Sequence, residues 1–174
     1  KGRDYSLTSE GKTLADRVSH DSMDVRLQPH IVTSIYIKNN AGKNLLFRHN
    51  FQPYLGLYGM PQGRLHYDEK IADAAVRELS EKTGLENIGL THRGIAYIQA
   101  VSDGATISKL LSHVFNGTVA GEPILSAGSA KGEAVWLHSS TLNANQYMPG
   151  FKGITSLLDT ASEALFFSEI EAHL

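Results

Sequence analysis

The sequence contains no cysteine, no long apolar run and little net charge. Without cysteine there is no disulfide, no thiolate metal site and no cysteine nucleophile, a composition that suits a reducing cytoplasm. No window approaches the roughly 18 apolar residues of a membrane span, and the N-terminus lacks the apolar core of a secretory signal. The expectation is a cytoplasmic protein with no membrane partner. With 16 basic and 18 acidic residues interspersed along the chain, no basic stripe points to nucleic-acid binding by this portion. There is no GxSxG elbow of the α/β-hydrolase type, and none of the 8 histidines falls in an HExxH or similar close pair. Gly11-Lys12-Thr13 ends like a phosphate-binding P-loop, but Ser6 stands where that loop requires glycine.

What is present is enough for one core, since 174 residues with 41% hydrophobic content make one well-packed domain. Residues 1–28 read as an N-terminal arm: Tyr5 and Leu7 alternate like a strand, Thr8 or Ser9 caps a helix, and Leu14 and Val18 give that helix an apolar side. The run YSLTSEGK within it resembles the end of the wing in winged-helix regulators, which would make the arm the remnant of an upstream domain. Residues 29–174 form the main domain. IVTSIYIK and NLLFRHN read as two strands joined by the turn NNAGK, and THRGIAYIQAVS and ISKLLSHVFNGTV as a second hairpin. LYGMPQG and GEAVWLH supply shorter strands. From FKGITSLLDT to SEALFFSEIEAHL, apolar spacings of three and four predict one or two C-terminal helices. Strands and helices in this order imply a mixed sheet flanked by helices.

The chemistry concentrates in GRLHYDEKIADAAVRELSEKTGL, Gly63 to Leu85. On a helical wheel Ala72, Ala75, Val76 and Leu79 share one side, with Val76 and Leu79 set against the sheet, and Glu78 and Glu81 project from the other. Two carboxylates three residues apart repel each other, and a hard divalent cation such as Mg²⁺ or Mn²⁺ relieves that repulsion while sharing phosphate oxygens with a substrate. The same spacing also serves as an ordinary solvated face.

The full pattern is more specific. Gly63, five residues, Glu69, seven residues, then Arg77-Glu78-Leu79-Ser80-Glu81-Lys82-Thr83-Gly84-Leu85 resembles the Nudix box, G-five-E-seven-R-E-U-any-E-E-any-G-U, where U is aliphatic. Every fixed position matches except Lys82, where the family has the second glutamate of an adjacent pair. The resemblance extends from about His30 to the C-terminus and implies a Nudix-like α/β/α sandwich, a mixed sheet between helices. It further implies a metal-dependent hydrolase of the MutT-like kind, a pyrophosphatase that cleaves the diphosphate of a nucleoside diphosphate linked to another moiety. A nucleotide-type small molecule would be the partner and Mg²⁺ or Mn²⁺ the cofactor; many relatives pair, so a homodimer is open.

Residue by residue, the resemblance makes Gly63, Arg77 and Gly84 structural. Gly63 turns the chain into the loop, Gly84 takes the left-handed conformation that ends a helix, and Arg77 pairs with Glu69. Glu78 and Glu81 match the catalytic and metal positions, with Glu69 and Glu133 as further ligands and Glu122 as second choice to Glu133. The metal would lower the pKa of a bound water, and Glu78 or a carboxylate from a later loop would take its proton. Arg64 and His66 are candidates for substrate phosphate. Tyr54, Tyr58, Tyr97 and Phe115 are candidates to stack a base, although aromatics in strands usually belong to a core. The cysteine-dependent isomerases of this fold are excluded.

Lys82 divides the expectation. At an effective dielectric of about 20 and a separation near 4 Å, each unit charge pair is worth about 4 kcal/mol, so a lysine beside the site weakens a divalent ion strongly. A long side chain that swings into water reduces that penalty, and the enzyme would then work with altered metal demand. If instead the ammonium replaces the ion and pairs with Glu78 four residues before it, the domain becomes a ligand sensor of a transcription regulator, with weak or no hydrolase activity.

Overall fold

The computed structural model describes residue 8, residues 28–160 and residues 164–173. The strand-to-helix reading of Tyr5–Val18 and the winged-helix resemblance lie outside the described residues, Thr8 excepted.

Eight strands form one mixed sheet. β1 (His30–Asn39) and β2 (Asn44–His49) are the expected first hairpin. β3 (Tyr58–Gly59) and β4 (Gln62–Arg64) divide the single short strand expected there. β5 (Thr91–Ser102) and β6 (Ala105–Val119) are the second hairpin, followed by β7 (Gly132–Leu137) and β8 (Phe166–His173). The main path runs β3-β2-β1-β6-β5-β8, with β4 paired to β1 and β7 to β2. β1 pairs with β6 and β5 with β8 in parallel; the other pairs are antiparallel.

Helices α1 (Ile71–Thr83) and α2 (Phe151–Thr160) cover opposite faces of this sheet. Period-two alternation explains the division. Ile35, Ile37, Leu45 and Phe115 point towards Ala75 and Leu79 of α1, whereas Tyr36, Leu46, Ile98 and Val114 point towards Phe151 and Ile154 of α2. The result is the expected α/β/α sandwich.

Two expectations are corrected. Residues 166–173 are a strand, not a helix: Phe166, Ser168, Ile170 and Ala172 turn inward while Phe167, Glu169, Glu171 and His173 face out, and eight register pairs with β5 satisfy the backbone. The three- and four-residue apolar spacing read as helical also contains this alternation, and the open edge of β5 decides between them.

The second correction concerns α1. Its buried residues are Ala74, Ala75, Glu78, Leu79 and Thr83, while Val76 is 52% exposed and Ala72 is exposed. The buried stripe is rotated so that a carboxylate lies under the helix and a valine faces water. Gly63 on β4 makes room for this, because a Cβ there would collide with the Glu78 carboxyl group. Its hydrogen side chain therefore provides space, rather than the turn expected from the sequence.

Leu79→Ala should cost about 2–5 kcal/mol of stability through lost burial and a residual cavity, whereas Val76→Ala should change it by less than about 0.5 kcal/mol. Urea unfolding of the two variants checks this; equal losses would contradict the rotated helix.

Candidate functional site

The site begins with Arg77. Its Nε donates to Glu69 Oε2 at 2.9 Å and its Nη2 to Glu69 Oε1 at 2.6 Å, a two-pronged pair that ties the loop to α1. Nη2 also donates to the Arg64 carbonyl at 3.1 Å and Nη1 to Glu78 Oε1 at 2.7 Å. The His66 backbone N–H completes the Glu69 carboxylate at 2.7 Å. The Arg77 hydrogen bonds, with that N–H and the charge of Arg77 behind them, hold the Glu69 carboxyl down to about 2 against the opposing effect of burial. Its partner Arg77 is raised further above its ordinary range by the same contacts.

Glu78 sits next in line, 7% exposed. One oxygen takes the Arg77 contact, and the other lies 3.6 Å from Lys82 Nζ. Lys82 does not swing out into water. Its side chain is 18% exposed, and its ammonium stands 4.9 Å from the centre of the Phe47 ring, a cation–π arrangement. Burial lowers the Lys82 pKa and Lys131 adds to the lowering, while Glu78 opposes both. Glu81, by contrast, is an exposed carboxylate at 60%, 3.5 Å from Arg77 Nη1. The two candidate acids thus differ in environment: one is enclosed between cations, the other faces solvent.

α1 ends where its charges need it to end. Gly84 adopts φ 74° and returns its N–H to the Ser80 carbonyl at 2.8 Å, the left-handed stop that glycine allows. Lys82 is then in the last turn, where a cation also meets the negative end of the helix dipole.

These residues face a cleft of about 580 Å³ that also takes in Phe47, Arg64, His66 and the loop from Ala127 to Gly132. Arg64, Arg77, Lys82 and Lys131 oppose Glu78 and Glu81, so the lining favours an anion. Arg64 Nη2 lies 3.1 Å from His30 Nε2 on β1. His66 borders the same cleft, 3.7 Å from Glu69.

The remaining candidates lie apart. Glu133 is on β7, 3.5 Å from Arg48. It lines a smaller cavity of about 170 Å³ that joins the cleft through Ser129 and Gly132. Glu122 is paired with Lys43 at 2.6 Å. Phe115 is buried in the core under α1, Tyr58 packs on the α2 side, and Tyr54 is set against His49.

His49 is the residue that sequence reasoning missed. It lies beyond Phe47 on the cleft face of β2, edge-on to Phe47 and Phe51. Both ring nitrogens are buried without a partner among the described residues. Burial and the nearby Lys82 push its pKa down to about 4, so it is neutral at neutral pH. The alternation Leu45, Phe47, His49 was the available signal. Lys131 was also missed, because only the folded loop brings it to α1.

Glu78, Glu81 and Glu69 are the carboxylates that a divalent ion would use at α1. Both Glu78 oxygens already meet cations of the same chain, and Glu69 is occupied by Arg77. Among the described residues, no three histidine or acidic side chains are gathered as a metal site. In this arrangement the residues do not fit a divalent cation at Glu78, because Lys82 supplies its positive charge.

A NUDIX domain model matches residues 28–156. The chain belongs to the NUDIX family. Solved structures share the fold: the mutator MutT protein from Bacillus halodurans is 22% identical, with a TM-score of 0.64 over 82% of this chain and 89% of its own. The NUDIX domain of Shewanella oneidensis NrtR, solved with ADP ribose, is 14% identical, with a TM-score of 0.61 over 87% of this chain and 96% of its own. A bifunctional NMN adenylyltransferase/ADP ribose pyrophosphatase from Francisella tularensis, complexed with AMP and a manganese ion, is 23% identical, with a TM-score of 0.56. In that case the match covers 76% of this chain but only 42% of the other. No curated protein matches the chain.

The Glu69–Arg77 pair gives a pH signature. A carboxyl held at about 2 in the fold, against an ordinary 4.5, contributes fully above the ordinary value and loses its contribution as pH falls through the folded one. The stability difference between the natural protein and Glu69→Gln should therefore be constant near neutrality and shrink between pH 4.5 and 2. Denaturant titrations across that range check it, and a difference independent of pH would contradict the charged pair.

Proposed function

We propose that this NUDIX chain is a ligand-sensing domain, with little or no hydrolysis. It takes up the diphosphate of a nucleoside diphosphate linked to another moiety. The observation that carries this reading is the Lys82 ammonium held between Glu78 and the Phe47 ring. A fixed ammonium supplies positive charge to a phosphate, but it cannot coordinate and acidify a water as a metal does. Lys131 and Arg64 on the same cleft wall add the charge that a diphosphate needs, and guanidinium suits two-pronged contact with phosphate oxygens. The winged-helix resemblance of YSLTSEGK supports a regulator as the setting of such a sensor.

The second reading is the metal-dependent pyrophosphohydrolase. Glu81 favours it, because its exposed carboxylate stands one turn from Glu78 and is free to turn towards an ion. In this reading Mg²⁺ or Mn²⁺ is held by Glu78 and Glu81, with Glu69 and Glu133 as further candidate ligands. Lys82 must leave Glu78 first. The metal's chemistry is to polarise phosphate oxygens and activate water. ADP-ribose, a sugar nucleotide, a dinucleotide polyphosphate and a nucleoside triphosphate are the substrate classes to compare.

A phosphate-release screen over these classes with Mg²⁺ and Mn²⁺ separates the readings when run on the natural protein, Lys82→Glu and Glu81→Gln. The sensor reading expects silence from the natural protein and activity gained in Lys82→Glu. Turnover by the natural protein that Glu81→Gln abolishes would establish the hydrolase instead.

A further inference from the structure

A second cluster lies outside the cleft. His92 on β5 and His113 on β6 bring Nε2 and Nδ1 within 3.3 Å, with ring centroids 5.4 Å apart. The pairing register alone does not place them face to face, since His92 is opposite Phe115 and His113 is opposite Ile95. A bulge between His92 and Gly94 breaks the register, and a bulge re-aims the side chain beside it. Gly94 permits it: φ is 149°, and β8 approaches so closely that a Cβ would collide with the Phe166 backbone. The two imidazoles therefore stand on neighbouring, hydrogen-bonded strands.

We propose that His92 and His113 form a two-histidine site for a borderline divalent cation such as Zn²⁺, Ni²⁺ or Co²⁺, separate from the NUDIX cleft. The contact is a hydrogen bond between imidazoles, and the same spacing lets both nitrogens reach one ion, with water completing its coordination. With Zn–N bonds of about 2.05 Å, a 3.3 Å nitrogen separation corresponds to an N–Zn–N angle of about 107°, close to tetrahedral. Imidazole nitrogens suit these ions, whereas Mg²⁺ prefers oxygen. In the ion's absence one proton joins the facing nitrogens. Binding moves that proton, by exchange with solvent, to the outward ring nitrogen of the same imidazole, so that two neutral rings turn lone pairs on the facing nitrogens to the ion.

The test uses the tag-free chain, because a polyhistidine tag would bind the same ions. Co²⁺ absorption and Zn²⁺ calorimetry are run on the natural protein, His92→Gln and His113→Gln, with circular dichroism to check folding. The expected result is that either histidine substitution removes about one ion per chain relative to the natural protein. Copper electron paramagnetic resonance of the natural protein gives a readout that needs no variant: splitting from two nitrogens is expected. No uptake, the same number of ions bound by His113→Gln as by the natural protein, or a copper signal without two nitrogens would each overturn the proposal. None of these outcomes depends on how the cleft treats a nucleotide.

Discussion

The buried Glu78 carboxylate, held between Arg77 and Lys82, is the constraint on which the rest of the site depends. An ionised carboxylate under a helix is costly unless it is paired and hydrogen-bonded. Here each of its oxygens meets a cation from its own helix, and a side-chain-free Gly63 makes the space below. Glu69 then anchors Arg77 from the loop. Removing either cation would leave the carboxylate partly unanswered, so the loop, β4 and α1 are fixed together by one charge network.

The same network determines what the cleft attracts. The Lys82 ammonium is not a spectator that drifts into water. The Phe47 ring and Glu78 hold it in place, and Lys131 lies close enough to lower its pKa. Both lysines and Arg64 line a cleft with only two acids. In the proposed sensor an anionic ligand would reduce the repulsion between these cations and so gain affinity without a bound metal. His49, beside this group on β2, is held neutral first by burial and then by the nearby Lys82.

Much of this was legible in the sequence. The box from Gly63 to Leu85 pointed to the family that the domain match established, and the β-branched runs pointed to both hairpins. Three features were not legible, for physical reasons. The tail from Phe166 to His173 carried both helical and alternating apolar spacings, and the free edge of β5, a tertiary fact, selected the strand. The wheel of α1 assumed that apolar residues face inward, but Arg77 and Lys82 make burial of Glu78 tolerable, so Val76 is exposed instead. The cleft brings Phe47 of β2 against Lys131 of the loop before β7, and His49 lines the small cavity beside it; β2 and that loop are far apart in the chain, and no local pattern joins them.

The central claim is that the ammonium at position 82 occupies the role of the ion at Glu78. Crystals soaked in manganese and a nucleoside diphosphate compound, measured at the manganese absorption edge, test it most directly. The account predicts no anomalous peak between Glu78 and Glu81, with Lys82 remaining against Glu78 while the phosphates lie in the cleft. A manganese peak bridging the two carboxylates, with Lys82 turned out to solvent, would contradict it.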